Sequence, residues 1–191
     1  MLFYLYGWIA EFNLQIMTVN WLNNMLNGTS ESLEDTGQRQ SRAPKLIGDF
    51  GEGLVTYALI KAGYEVANVD HVGADLIAER NGERIAVSVK TRNRNTDTKE
   101  SDMVVIESTN LAKLKYFSNQ FGMLPVFTQV VCHAKTNTIH LFMIRVEDIE
   151  KNMKKVQHGY SLSFGPRGIV SVKAILGMKY SCWSGENIEV V

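Results

Sequence analysis

The dipeptide Asn81-Gly82 lies between two runs that alternate or are wholly apolar, Ala74–Glu79 and Glu83–Lys90. Asn-Gly accepts the positive φ angles of a type I′ turn, so this is a strong signal for a two-residue β-hairpin loop. The turn fixes the register: Arg80 faces Glu83, Ala78 faces Ile85, Leu76 faces Val87, and Asp75 lands opposite Ser88. Directly opposed residues hold their Cβ atoms ~5 Å apart on one sheet face. Lys90 shares that face, ~7 Å further along the strand. The other face carries Leu76, Ala78, Ile85, Val87 and Val89, is entirely apolar, and must be core. Three polar groups therefore meet at one end of a hairpin whose back is buried.

The flanking sequence surrounds this hairpin with alternating helices and strands. Phe50, Leu54 and Ala58 recur at i, i+4 and i+8 beside Val55 and Leu59, which predicts a helix from near Leu46 that Gly63 closes at C′. Gly48, Gly51 and Gly53 sit in its first turns, where each costs up to about 1 kcal/mol against alanine. A loose helix start and a close approach of backbone to sheet or phosphate both remain open. Tyr64–Val69 reads as a strand and Asp70–Gly73 as a turn. Thr91–Ser101 reads as a polar, basic loop, and Met103–Glu107 as a short strand. A helix carrying Leu111, Leu114, Phe117 and Phe121 is expected to start after Ser108-Thr109-Asn110 and stop at Gly122. Val126–Cys132 and Thr138–Ile144 form a second hairpin, then a charged helix covers Val146–Val156. Ser161–Phe164, Ile169–Ile175 and Cys182-Trp183 read as short strands.

The chain has 191 residues, 45% hydrophobic and 21% charged, so one globular domain with an appendage is expected and no disulfide or metal is needed to hold the fold. Its formal net charge of zero argues against indiscriminate nucleic-acid binding but leaves room for a local basic patch. The two cysteines, Cys132 and Cys182, lack metal-ligand spacing and suit buried, reduced thiols of a cytoplasmic protein. Residues 1–26 form an apolar segment, with Glu11 the sole charge up to Met17. A secretory signal would need a basic start and a small-residue cleavage site. A membrane span would need ~20 apolar residues. A helix docking on the body, a partner-binding segment and an upstream extension with the physiological start at Met17 or Met25 all stay open. Residues 27–44 read as a polar linker and residues 45–191 as the α/β domain.

A carboxylate and an ammonium so placed suit phosphodiester hydrolysis. Asp75 can ligate a hard cation such as Mg²⁺ (or Mn²⁺), and Lys90 can hold a water or neutralise charge at phosphorus. The bland alternative is a surface salt bridge worth about 0–1 kcal/mol. Arg92, Arg94 and Lys99 in the following loop, with Lys113 and Lys115 on the next helix, could contact phosphates. Lys151, Lys154 and Lys155 read instead as an exposed face balanced by Glu147, Asp148 and Glu150. His71 precedes Asp75 closely, and His133, His140 and His158 form no metal set. Phe164 and Trp183 could stack bases or pack in the core.

Glu52 on the leading helix, Gly73-Ala74-Asp75 opening a strand, and Val87-Ser88-Val89-Lys90 closing the next resemble the PD-(D/E)XK nuclease superfamily. The sequence is similar to archaeal Holliday-junction resolvases and related restriction-endonuclease-like enzymes. The resemblance implies an α/β restriction-endonuclease-like core over residues 46–133, with a central mixed β-sheet and an antiparallel hairpin flanked by helices. It further implies that Asp75 is a metal ligand assisted by the Val89 carbonyl, Lys90 the catalytic lysine, and Glu52 a helix-borne acid near the metal. The superfamily usually has Glu, Asp or Gln where this chain has Ser88. Some of its restriction enzymes also carry serine there and recruit an acid from a nearby helix. Glu52 is the natural candidate here, with Glu107 and Glu100 behind it. The resulting expectation is a metal-dependent endodeoxyribonuclease acting on DNA, branched, modified or of specific sequence, with no membrane role. Cutting two strands leaves room for a homodimer. The alternative is a catalytically inactive nucleic-acid-binding or protein-interaction module of the same fold.

Overall fold

The computed structural model describes residues 42–94, 103–133 and 136–185. The apolar segment 1–26, the linker up to residue 41, and Lys99 and Glu100 lie outside them. The hairpin forms as its turn dictates. Asn81 and Gly82 both have positive φ, 53° and 83°, and join strands β2 (Ala74–Arg80) and β3 (Glu83–Arg94). Their pairs include Arg80 with Glu83, Ala78 with Ile85 and Leu76 with Val87. Strand β1 (Glu65–His71) lies antiparallel to β2, with a bulge between Asn68 and His71. The turn that follows is shorter than expected, because His71 already pairs with Ala74 and only Val72 and Gly73 lie between. Gly73 has φ 111°, and a side chain there would strike the Lys113 carbonyl.

Residues Thr91–Arg94 correct the expectation of a loop. They continue β3, because β5 (Leu124–His133) runs parallel to it from Ile85–Leu124 through to Arg94–His133. A ladder needs only main-chain partners, so polar side chains do not prevent it. A parallel pair requires a crossover. Strand β4 (Met103–Glu107) and helix α2 (Ser108–Phe121) lie within that connection. Helix α2 takes in Ser108–Asn110 and ends on Gly122, φ 60°. Strands β6 (Thr138–Arg145) and β9 (Lys179–Ser184) complete a six-stranded mixed sheet of order β1-β2-β3-β5-β6-β9. A smaller sheet has order β4-β8-β7, with β7 at Lys155–Val156 and β8 at Gly159–Ser163.

Helix α1 (Ala43–Lys61) sets Val55 and Leu59 against Leu76, Ala78, Ile85, Val87 and Val89, all buried. The apolar hairpin face is thus core, each large side chain contributing about 1.5–3 kcal/mol. On the opposite face, Leu111, Leu114 and Phe117 of α2 pack with Ala86, Phe127 and Val131. Two further expectations change. The charged helix is short, α3 (Val146–Asn152), and β7 follows it. The expected strand Ile169–Ile175 is instead helical as far as Lys173, the end of helix α4 (Pro166–Lys173). Proline at the first helical turn presets φ. Val172 is buried while Val170 is 69% exposed, a one-sided pattern that the β-branched composition conceals. Among the described residues no helix is long and apolar enough to cross a membrane.

Candidate active site

Asp75 is the second residue of β2 and half-buried. The last main-chain pair on that side is Leu76 with Val87. One step beyond it, the Asp75 Oδ2 accepts the Val89 N–H at 2.6 Å. The same register sets Asp75 opposite Ser88, as counted from the turn. A residue's N–H and C=O leave a strand on the same edge, so the Val89 carbonyl shares the edge to which the Asp75 carboxylate is tied.

Helix α1 brings Glu52 to this end of the sheet. A β-carbon at Gly51 would collide with the Thr91 hydroxyl, so the absence of a side chain lets α1 lie directly on β3 one residue past Lys90. That decides between the two readings of the glycines at this position, in favour of close approach to the sheet. Gly48 and Gly53 face open space. The Glu52 carboxyl is pushed above its ordinary value of 4.5, first by burial, then by the negative charges of Asp75 and Asp49, while Lys90 draws it back down. These four side chains therefore share one electrostatic neighbourhood, with Lys90 exposed to solvent. Asp49, one helical turn before Glu52, joins them, and its i, i+3 spacing to Glu52 is the only signal of this in the sequence.

Ser88 is 5% exposed and sits in the interior rather than in the open end of the site. Beside it on β5, Gln129 pairs in register with Lys90. Its amide donates to the Lys90 carbonyl at 3.0 Å and to the Val130 carbonyl at 3.1 Å. Nothing local in the sequence distinguishes Gln129; only the parallel β3–β5 register brings it to Lys90.

The expected basic cluster forms only in part. Arg92 and Lys113 are exposed. Lys115 is held by Glu150 at 2.9 Å. Arg94 departs from the expected phosphate contact: it is 5% exposed, its guanidinium lies 4.7 Å from the centre of the Phe164 ring, and it donates to the Met103 carbonyl at 3.4 Å. Alternation on β3 turns it to the same face as Lys90 and Arg92, but there the smaller sheet covers it. Phe164 is accordingly core, and Trp183 packs partly buried against the other cluster. The His71 ring lies on Phe117, 4.9 Å between centres. Glu107 precedes the first turn of α2, and its carboxylate accepts from the Thr109 hydroxyl and the Asn110 side-chain amide at 3.4 Å each. Cys132 is buried, its thiol pushed up to about 11 by burial, whereas Cys182 is exposed, contrary to expectation. Among the described residues no group of three or more His, Cys, Asp or Glu side chains is arranged to hold a metal ion.

Neither a protein-family model nor a curated protein matches the chain. Among solved structures it is similar to Archaeoglobus fulgidus Hjc, a Holliday junction resolvase from an archaeal hyperthermophile. The two share 14% identity and a TM-score of 0.44, over 61% of this chain and 83% of that one. A match of that size carries no argument about activity. The chemistry rests on the residues themselves.

Proposed function

We propose that this chain is a metal-dependent endodeoxyribonuclease with a restriction-endonuclease-like core, its site formed by Glu52, Asp75, Lys90 and the Val89 carbonyl. The observation that carries this reading is the approach of α1 to β3 at Gly51, which sets Glu52 among Asp75, Asp49 and Lys90. Two like charges forced together at a half-buried strand end are relieved by a cation. The donors are all oxygens, which suits Mg²⁺ or Mn²⁺ over softer metals. Mg²⁺ keeps several waters and needs only one or two carboxylates, a number that Asp75 and Glu52 supply. When bound, such an ion supplies Lewis-acid polarisation of a phosphoryl oxygen and a more acidic water.

The protein's own side chains do the rest. Asp75 and Glu52 bind through carboxylate oxygens, Asp75 with its orientation fixed by the Val89 N–H. The Lys90 ammonium neutralises charge that develops on the phosphoryl oxygens, or holds the attacking water. Arg92, on the same strand face, contacts an adjacent phosphate, with Lys113 further out. The substrate is DNA, branched, modified or sequence-specific, and a homodimer would set one site on each strand. Incubation with linear duplex and four-way-junction DNA in Mg²⁺, Mn²⁺ or EDTA tests this. Metal-dependent cutting by the wild type and none by Asp75→Ala is the expected result; no cutting of any DNA with either metal overturns it.

A second reading rests on Ser88, whose neutral, buried side chain withholds the charge the superfamily resemblance calls for at that position. It is an inactive module that binds nucleic acid. Salt-sensitive DNA binding, unchanged by Mg²⁺ and by Asp75→Ala, is its signature.

A further inference from the structure

The face of β5 that carries Gln129 also carries Phe127 and Val131, both buried in the α2 core. A glutamine in that row has to be desolvated, and it is only 5% exposed. The ladder already provides main-chain partners along this stretch, since Lys90 pairs with Gln129 and Thr91 with Val130. Gln129 nevertheless directs its Nε2 at the Lys90 and Val130 carbonyls, at 3.0 and 3.1 Å. Those bonds use both amide hydrogens and settle which way round the group sits, because two carbonyls cannot face a third. The Oε1 is left as an acceptor to which no described residue donates. As register partners in parallel strands, Gln129 and Lys90 stand side by side on one sheet face.

We propose that Gln129 is the positioning residue for Lys90: its Nε2 anchors the Lys90 main chain and its Oε1 receives the Lys90 ammonium. The role of Lys90 in hydrolysis rests on the nuclease reading; the proposed contact between the two side chains does not. The amide thus turns a flexible four-carbon side chain, which samples many rotamers when free, into one held along the β3–β5 seam.

Two variants separate the two halves of this role. Gln129→Met keeps length and volume but neither donates nor accepts, whereas Gln129→Glu keeps an acceptor. The first readout is NMR relaxation of the Lys90 side chain in metal-free protein without DNA. The wild type is expected to show a restricted Lys90 Cε, Gln129→Met a mobile one, and Gln129→Glu a restricted one. The second is steady-state cleavage in Mg²⁺, where Gln129→Met lowers kcat about tenfold with KM within twofold, and Gln129→Glu recovers most of it. A structural role alone would lower Tm without selectively freeing Lys90. Equal Lys90 mobility in wild type and Gln129→Met overturns the proposal. If the wild type cleaves no DNA, the nuclease reading falls while the relaxation result still decides the contact. If Gln129→Met does not fold, a Lys90 as mobile in Gln129→Glu as in a free lysine overturns it alone.

Discussion

The Asp75 carboxylate takes the Val89 N–H at 2.6 Å, one step past the last main-chain pair of the β2–β3 ladder. A side chain thereby carries on the pairing where the backbone stops, and its remaining oxygen is held at the strand edge shared with the Val89 carbonyl. Asp75→Asn retains an acceptor for that N–H while removing the charge; Asp75→Ala removes both. Calorimetric titration is expected to show Mg²⁺ and Mn²⁺ binding lost in both variants. Denaturant unfolding should then separate them, with alanine costing about 1–3 kcal/mol and asparagine much less. Equal destabilisation by the two would remove the hydrogen bond from the account.

Glu52 gives a prediction of opposite sign. Its carboxyl is raised above the ordinary 4.5 by burial and by Asp75 and Asp49. The fold therefore favours the protonated form. That contribution is fully present below the unfolded value of 4.5 and is lost as pH rises through the higher folded value. At neutral pH an ionised Glu52 is a net cost to the metal-free protein. Glu52→Gln should raise Tm by about 1–2 °C in EDTA, yet gain less than the wild type when Mg²⁺ is added. A fall in Tm in EDTA would show that the carboxylates do not strain one another.

Much of the site follows from turn chemistry. Asn81-Gly82 fixes where the hairpin folds back, and counting outward from it sets Asp75 opposite Ser88 with Lys90 on the same face. The buried face of that hairpin is equally readable, because alternation gives one wholly apolar side. What the sequence does not reveal is long-range. Arg94 shares composition and strand face with Arg92, and only the smaller sheet makes one buried and the other exposed. Gln129 lies 39 residues from Lys90 along the chain and reaches it through a parallel pairing that no local pattern encodes. Helix α4 hides behind β-branched residues whose strand preference is overridden by Pro166 and one-sided burial.

Ser88 tests whether the site lacks charge. Ser88→Asp adds a carboxylate at a position only 5% exposed. Without metal it should destabilise the protein by about 1–3 kcal/mol, the usual cost of an uncompensated buried polar group or more. Mg²⁺ should restore that loss and bind about tenfold more tightly than in the wild type. Denaturant midpoints with and without Mg²⁺ measure both effects, and a destabilisation that Mg²⁺ leaves untouched would place residue 88 outside the metal's reach.

Gly51 sets the distance between α1 and β3. Gly51→Ala forces its new methyl onto the Thr91 hydroxyl, and overpacking of this kind costs about 1–3 kcal/mol. That hydroxyl is buried with no partner among the described residues, so Thr91→Ala alone should cost little. The double variant should recover more than half of the loss, a coupling visible in a double-mutant cycle. Cleavage should track α1: reduced in Gly51→Ala, restored in the double variant. Additive stabilities would mean the helix moves freely over the strand.

His140 supplies a pH dependence away from the site. It is 7% exposed, with Nδ1 bonded to the Tyr180 hydroxyl at 2.9 Å and Nε2 to Thr138 Oγ1 at 3.0 Å. Burial lowers its pKa from the ordinary 6.5, and the nearby His133 and Lys173 lower it further. The fold thus favours neutral imidazole. Its contribution is fully present above 6.5 and is lost as pH falls through the lower folded value. Unfolding free energy should therefore decline below pH 6.5 with a slope of at most about 1.4 kcal/mol per pH unit from this group. His140→Gln, which keeps a donor and an acceptor but cannot titrate, should remove that slope. Hydrogen exchange should show acid-induced opening first in β9, which carries Tyr180 and Cys182 opposite β6. An unchanged slope in the variant would assign the acid sensitivity to another group.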